Sequence, residues 1–234
     1  SNLLIREGGI RGIVIHFASS EFSKIEVDGL RLYCGAGARL KHVAIEARNH
    51  GIGGLEFLEG IPGNVGGALR MNAGAMGGET FDFVKEVRFM DRSGTVHSVA
   101  PSKLEIHYRG CPSLKDSFAL GAIFEGRLAD RAAIEETMKQ SSQKRWDSQP
   151  AAMSAGCMFK NLEEIPAGRL VDELGLKGFR VGDAVVSDVH GNFVVNEGNA
   201  TAKDVIELIE RIKMVARDLR GLELHTEVQI VGED

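Results

Sequence analysis

Five glycines fall within fifteen residues in the stretch GIPGNVGGALRMNAG, residues 60 to 74, which lacks the repetition of a flexible linker. Glycine admits positive φ and lets the main chain approach a ligand without a Cβ in the way, and successive N–H groups in such loops form concavities that bind anions. A large phosphate-bearing cofactor would account for that density. A pair of tight turns between packed elements accounts for it equally well. The loop lacks the Lys-Ser/Thr of a P-loop, and nowhere does a strand lead through G-x-G-x-x-G into a helix, so a dinucleotide held here would not be held in Rossmann fashion. The other chemically suggestive residues are three thiols. Cys34, Cys111 and Cys157 are odd in number and widely spaced, which suits reduced cysteines rather than a disulfide framework or a metal site, and one of them could take part in chemistry.

The elements that must position these residues fall into two groups. Up to about residue 126 the pattern is strand-rich: GIVIHF (12–17), LRLYCGAG (30–37), VKEVRFMDRSGTVHSV (84–99) and SFALGAIFEGRL (117–128) read as strands. In the third of these, residues 91–94 form a turn signal between two alternating runs, as in a hairpin. Between the strands, Leu40, Val43, Ala44 and Ala47 recur at helical spacing, with Gly51 as a stop. Residues 130–146 read as a charged surface helix. After Pro150 come the short run SAGCMF, a helix beginning near Pro166, and short strands around VGDAVVSD and GNFVVN. Thr201 with Asp204 three residues on signals the start of the strongest helix, with Val205, Leu208, Ile209, Ile212, Val215 and Leu219 on one face. A last strand, LELHTEVQIVG, closes the chain. There Leu224, Thr226, Val228 and Ile230 alternate with His225, Glu227, Gln229 and Val231.

The chain has 234 residues, is 43% hydrophobic and carries a formal net charge of -5, so it can bury a sizeable core and is a poor match to nucleic acid or an anionic membrane surface. No stretch reads as a membrane span or a signal peptide, which makes the cytoplasm the expected compartment. A monomer is the favoured assembly. Ser1 is no initiator Met and leads directly into an apolar run, so an N-terminal piece is expected to be missing.

The stretch GLEFLEGIPGNVGGALRMNAGAMGGE resembles the flavin-binding core of the UDP-N-acetylenolpyruvoylglucosamine reductase family, and the rest of the chain follows in the family's order. SNLLIREGG is similar to the end of its glycine-rich phosphate loop, Tyr108-Arg109 to its Tyr-Arg motif, and AGCMFKN to its Gly-Ser-x-Phe-Lys-Asn motif. AGRLVDELGLKGFRVGDAVVSDVHGNFVVNEGNATAKDV is similar to its substrate domain and HTEVQIVGE to its Glu-Val strand. With only Tyr33 and Tyr108 present, nothing between Arg109 and Cys157 can supply the tyrosine that one branch places over the diphosphate, so the chain resembles the shorter branch.

The resemblance implies an α+β fold. Its parts would be an FAD-binding module of the vanillyl-alcohol-oxidase type over residues 1–149, truncated at its start, a smaller α+β substrate domain over 150–220, and a C-terminal strand over 221–234 carrying a catalytic Glu. It implies NADPH-dependent reduction of UDP-N-acetylglucosamine enolpyruvate to UDP-N-acetylmuramate for peptidoglycan, with hydride delivered through FAD. Cys157 stands where relatives have the serine that protonates the intermediate, and a thiol, with a reference pKa of about 8.5, retains a transferable proton. Arg109 and Glu227 match the positions that bind and polarise the substrate carboxylate as charge builds on it. Ser1, Asn2, Gly60, Ile61, Pro62, Gly63, Asn64, Gly66, Gly67, Asn72, Ala73 and Gly74 fall in the flavin-binding segments. Gly63 and Gly66 are expected to approach the flavin because a Cβ on either would point at it. Tyr108, Asn161, Lys177 and His190 fall on substrate positions, His190 where a neutral hydrogen-bonding group is used, and Arg145 could reach a phosphate.

Each residue has a plainer reading beside this one. Cys157 could be a small core thiol, Arg109 a loop arginine, Glu227 a solvated strand residue, Lys177 a charge complementing a helix C-terminus, and Arg145 surface. At the level of function, an oxygen-using oxidase on the same flavin module is one alternative, and a non-catalytic flavin or nucleotide-sugar binding protein is another. The substrate-domain match opposes the first. The joint presence of Arg109, Glu227 and an acid at position 157 opposes the second.

Overall fold

In the computed structural model, which describes residues 1–234, the chain divides into two units, His16–Arg145 and Ser1–Ile15 with Trp146–Asp234. The boundary falls inside the helix Arg131–Ser148.

The unit 16–145 is built on a five-stranded antiparallel sheet in the order Ile25–Asp28, Arg31–Gly35, Phe118–Glu125, Val84–Met90, Val96–Val99. The hairpin expected over 84–99 is present, with Met90 opposite Val96 and Gly94 at φ +89° in its turn. The expected helix forms as Leu40–Asn49, and Leu40, Val43, Ala44 and Ala47 are its buried face. Gly51, at φ +68°, stops it at little cost because it has no Cβ to clash in the left-handed region. The glycine stretch contains the short helix Val65–Met71, which buries Val65, Ala68 and Leu69 in a core with Leu32, Leu55, Leu58, Val87 and Phe124. Full burial of each such Leu, Val or Phe contributes about 1.5–3 kcal/mol, enough to hold a helix of under two turns that propensity alone would not.

The other unit has a four-stranded antiparallel sheet in the order Ser154–Cys157, Phe193–Asn196, Ala184–Val186, Arg180–Val181. Helix Ala202–Arg220 begins with the Thr201–Asp204 capping box and buries Leu208, Ile209 and Ile212 against Leu170 and Val171 of helix Ala167–Glu173. Leu3–Ile5 runs parallel to Gln229–Val231, and this ladder ties residues 1–15 to the C-terminal unit rather than to residues 16–145.

Three expectations need correction. Residues 12–17 form no strand, because no ladder offers them a partner, and Ile13 is 91% exposed. Leu219 is exposed; the apolar stripe of its helix ends one turn earlier, at buried Ala216. The closing strand is confined to Gln229–Val231, with Thr226 making one isolated bridge to Phe159, although Leu224 and Val228 are buried as the alternation requires.

Candidate active site

Cys157 ends the strand Ser154–Cys157, where the register with Phe193–Asn196 shifts, and Gly156 sits at φ +81° in that irregularity. A bulge of this kind re-aims the side chain that follows it, and only glycine takes the required φ without strain. The thiol is half-buried. The other two thiols are buried. Burial pushes Cys34 up to about 12 and also raises Cys111, leaving both as protonated core groups.

The segment after Cys157 is clamped on both sides. Asn192, 2% exposed, accepts from the Phe159 N–H and donates to the Phe159 carbonyl, each at 2.8 Å, while its own carbonyl accepts from Met158 N–H at 2.9 Å. Opposite, Glu227 N–H donates to the Met158 carbonyl at 2.8 Å and Lys160 N–H to His225 at 2.9 Å. The fold therefore places the Glu227 main chain one residue from Cys157. The Glu227 carbonyl accepts from Asn2 Nδ2 at 3.0 Å and from Gln229 Nε2 at 3.1 Å. Of the two N-terminal residues assigned to the cofactor, Asn2 thus has its side-chain amide on the Glu227 main chain, and the Ser1 carbonyl lies beside Gly156.

Asn161, Lys177 and His190 gather around helix Ala167–Glu173 in the same unit. Asn161 Oδ1 accepts from Ala167 N–H at 3.0 Å, satisfying a donor of the first turn. Lys177 Nζ pairs with Asp172 at 2.8 Å. The His190 ring lies on the first turn at Gly168, where a Cβ would come within 2.7 Å of His190 Cε1. Asn192 N–H donates to His190 Nδ1 at 3.1 Å, so the neutral ring carries its proton on Nε2 as a donor. Burial, and then the positive charge of Lys177, hold the imidazole below its ordinary value, which keeps it neutral.

In the unit 16–145 the glycine stretch forms a ledge along residues 36–40. Leu40 N–H donates to the Gly63 carbonyl at 3.1 Å, Val65 N–H to Ala38 at 2.9 Å and Gly66 N–H to Ala36 at 2.8 Å. Gly63 has φ +114°, which requires glycine. At Gly66 a Cβ would meet Ala36 Cβ at 3.2 Å, so its bare face lies against residue 36. Gly67 is the residue with the open face, exposed and with no atom within 4 Å of an added Cβ. That open main-chain surface, beside exposed Pro62 and Gly63, leaves room for a ligand to approach the backbone. Ile61 and Asn64 flank it, half-buried, and Gly60 lies 3.9 Å, measured from an added Cβ, from Arg145 Cδ.

Arg109 occupies a turn closed by His107 and Gly110, which exchange main-chain hydrogen bonds at 2.9 and 3.2 Å. Its φ is +56°. Its guanidinium stacks 4.7 Å from the Tyr108 ring centroid, donates to the Gly74 carbonyl at 2.9 Å and pairs with Glu79 Oε1 at 3.3 Å. Asn72, 2% exposed and at φ +42°, donates to Glu79 Oε2 at 2.8 Å and to the His107 carbonyl at 3.2 Å, and accepts from Phe81 N–H. The side chain of Asn72 is thus committed within the protein, as is the carbonyl of Ala73, which accepts from Thr80 Oγ1 at 2.7 Å. Two residues that organise these groups, Glu79 and Asn192, carry no pattern that would mark them in a sequence, because their importance lies in which groups the fold brings to them.

Two parts of the chain match families of known proteins. Residues 1–100 match the family model described as FAD binding domain, and residues 149–231 match that of the UDP-N-acetylenolpyruvoylglucosamine reductase C-terminal domain. The UDP-N-acetylenolpyruvoylglucosamine reductase of Clostridium tetani is 42% identical over 236 residues, covering 100% of this chain and 76% of the relative. A protein of the same name from Methylorubrum extorquens is 41% identical, over 99% of this chain and 75% of its own length. The crystal structure of UDP-N-acetylenolpyruvylglucosamine reductase from Thermus caldophilus superposes with a TM-score of 0.81 at 38% identity, covering 91% of this chain and 76% of that one.

Proposed function

The chain belongs to the UDP-N-acetylenolpyruvoylglucosamine reductase family, and on that premise we propose that it reduces the enolpyruvyl C=C bond of UDP-N-acetylglucosamine enolpyruvate to give UDP-N-acetylmuramate for peptidoglycan. FAD, when bound, would supply the hydride, with NADPH as its source. The open main-chain face at Gly67 and the turn at Gly63 are the surface we assign to it, with Gly60, Ile61, Pro62, Asn64 and Gly66 shaping that surface and Ala73 and Gly74 continuing it.

The chain's own residues supply the rest. Hydride addition to the double bond leaves charge on the neighbouring carbon and its carboxylate. Arg109 meets that developing charge with donors held rigid by Gly74 and Glu79, so little reorganisation is needed as the charge forms. Cys157 gives its proton to the carbon and becomes a thiolate, which regains a proton before the next turnover. Glu227 works beside it. The observation that carries this reading is the hydrogen bond from Glu227 N–H to the carbonyl of Met158, which fixes the acid's strand and the Glu227 segment side by side. Lys177, Asn161 and the Nε2–H of neutral His190 are assigned to the nucleotide, and Tyr108 to the substrate near Arg109. A cytoplasmic location is part of the proposal, and its support is that Cys34 and Cys111 are free, buried thiols, as suits a reducing compartment.

The test separates the two half-reactions. Reduction of FAD by NADPH needs no side-chain acid, so Cys157→Ala leaves anaerobic bleaching of the flavin near normal. Return of the flavin colour with the enolpyruvyl nucleotide slows by about 10² to 10⁴, the range of a lost general acid, and Cys157→Ser recovers most of it. An unchanged second half-reaction in Cys157→Ala would remove the thiol from the chemistry.

A further inference from the structure

The three non-glycine residues with positive φ in this protein are Asn72, Met76 and Arg109, and all three belong to one small network. Met76 turns the hairpin whose strands are Gly74–Ala75 and Gly78–Glu79. Asn72 ends the helix Val65–Met71, and Arg109 is in the 107–110 turn. Strain of this kind persists only where surrounding contacts over-determine the backbone, and it concentrates where function needs a set geometry. What joins the three pieces is the carboxylate of Glu79, with Oε1 on Arg109 at 3.3 Å and Oε2 on Asn72 at 2.8 Å. Asn72 is buried and makes a second bond to the 107–110 turn, so the orientation of Glu79 is set from within the protein and passed outward to the guanidinium.

We propose that Glu79 is a positioning residue for the reduction: its carboxylate, oriented by Asn72, holds the Arg109 guanidinium in the attitude that meets the carboxylate of the enolpyruvyl substrate. This rests on the role assigned above to Arg109. A simple electrostatic view predicts the reverse importance, since Glu79 is a negative charge beside the group that must attract an anion. Removing it leaves Arg109 more attractive to a carboxylate in the ground state and less well aimed at the one that accumulates charge. The two accounts therefore differ in which kinetic constant moves.

The experiment is a pair of substitutions and a cycle in the FAD-loaded protein. Glu79→Gln keeps size and removes the charge; Glu79→Asp keeps the charge and shortens the reach. For Glu79→Gln the rate of flavin reoxidation by saturating enolpyruvyl nucleotide falls about tenfold or more, with KM for that nucleotide unchanged or lower. Glu79→Asp lies between it and the parent. Adding Glu79→Gln to Arg109→Lys costs far less than it costs alone, because both act through one guanidinium. Additive losses, a raised KM with normal kcat, or loss of flavin from both Glu79 variants would each make Glu79 something other than a positioning residue and overturn the proposal. If Arg109→Lys is slow while Glu79→Gln is normal, this proposal alone falls. An Arg109→Lys protein that reoxidises normally removes the role of Arg109 itself.

Discussion

Gly67→Ala separates a glycine kept for the fold from one kept for a ligand. Gly67 is in the helix Val65–Met71 without positive φ, is exposed, and has no atom within 4 Å of an ideal Cβ, so the flavin-free protein accommodates a methyl group there. Alanine also narrows the unfolded ensemble and favours the helix, a gain of about 0.5–1 kcal/mol. For a chain of this size that raises the melting temperature of the apoprotein by about 1–4 °C. The same methyl group would stand in the surface assigned to FAD. Overpacking one methyl group costs about 1–3 kcal/mol, so FAD affinity falls by about 5- to 150-fold. The neighbouring Gly66→Ala is the contrast. Its Cβ meets Ala36 Cβ at 3.2 Å and the Ala36 carbonyl at 3.3 Å, so Ala36 must give by a few tenths of an ångström and the apoprotein gains less than in Gly67→Ala. Thermal melts of apoprotein and titration with FAD, followed by quenching of flavin fluorescence, read both effects. Native FAD affinity in Gly67→Ala would refute the assignment of that face. A lowered apoprotein melting temperature would refute the geometry behind it.

Two further outcomes are expected. Glu227→Gln keeps the shape and largely keeps substrate binding, while turnover falls by about 10² or more, as for loss of an interaction made in the transition state; near-normal steady-state turnover would take Glu227 out of the site. His190 has a folded value held below 6.5 by burial and by Lys177, so its contribution to stability is complete above that pH and is lost as pH falls through the lower folded value. Urea unfolding across that window is less pH-dependent in His190→Gln than in the parent, and an identical pH dependence would show that the ring is not held neutral by the fold.

The elements legible in the sequence are those whose pattern and partner are local. Leu40, Val43, Ala44 and Ala47 repeat at helical spacing and are all buried, the hairpin over 84–99 carries its own turn, and Thr201 with Asp204 caps the helix they announce. Residues 12–17 have the composition of a strand, but a strand exists only where a neighbour accepts its hydrogen bonds. The pairing of Leu3–Ile5 with Gln229–Val231 joins opposite ends of the chain and leaves no local trace. The candidate site residues divide in the same way. Gly63, Gly156 and the thiol at 157 stand out by type, whereas Glu79 and Asn192 matter through contacts with residues far along the chain, which spacing does not encode.

The backbone of Arg109 shows why spacing alone left its role open. An arginine in the left-handed region costs on the order of 1–3 kcal/mol relative to a relaxed backbone, and glycine in that turn would avoid the cost. The strain is offset locally by the paired hydrogen bonds of His107 and Gly110, by Asn72 on the His107 carbonyl, and by Gly74 and Glu79 on the guanidinium. A surface arginine serving only solubility would have no reason to occupy a position whose backbone favours a residue without a side chain. The cost is intelligible if the side chain must project from that turn in one direction. Each of these contacts, and the Tyr108 ring with them, restricts that direction rather than merely tolerating it.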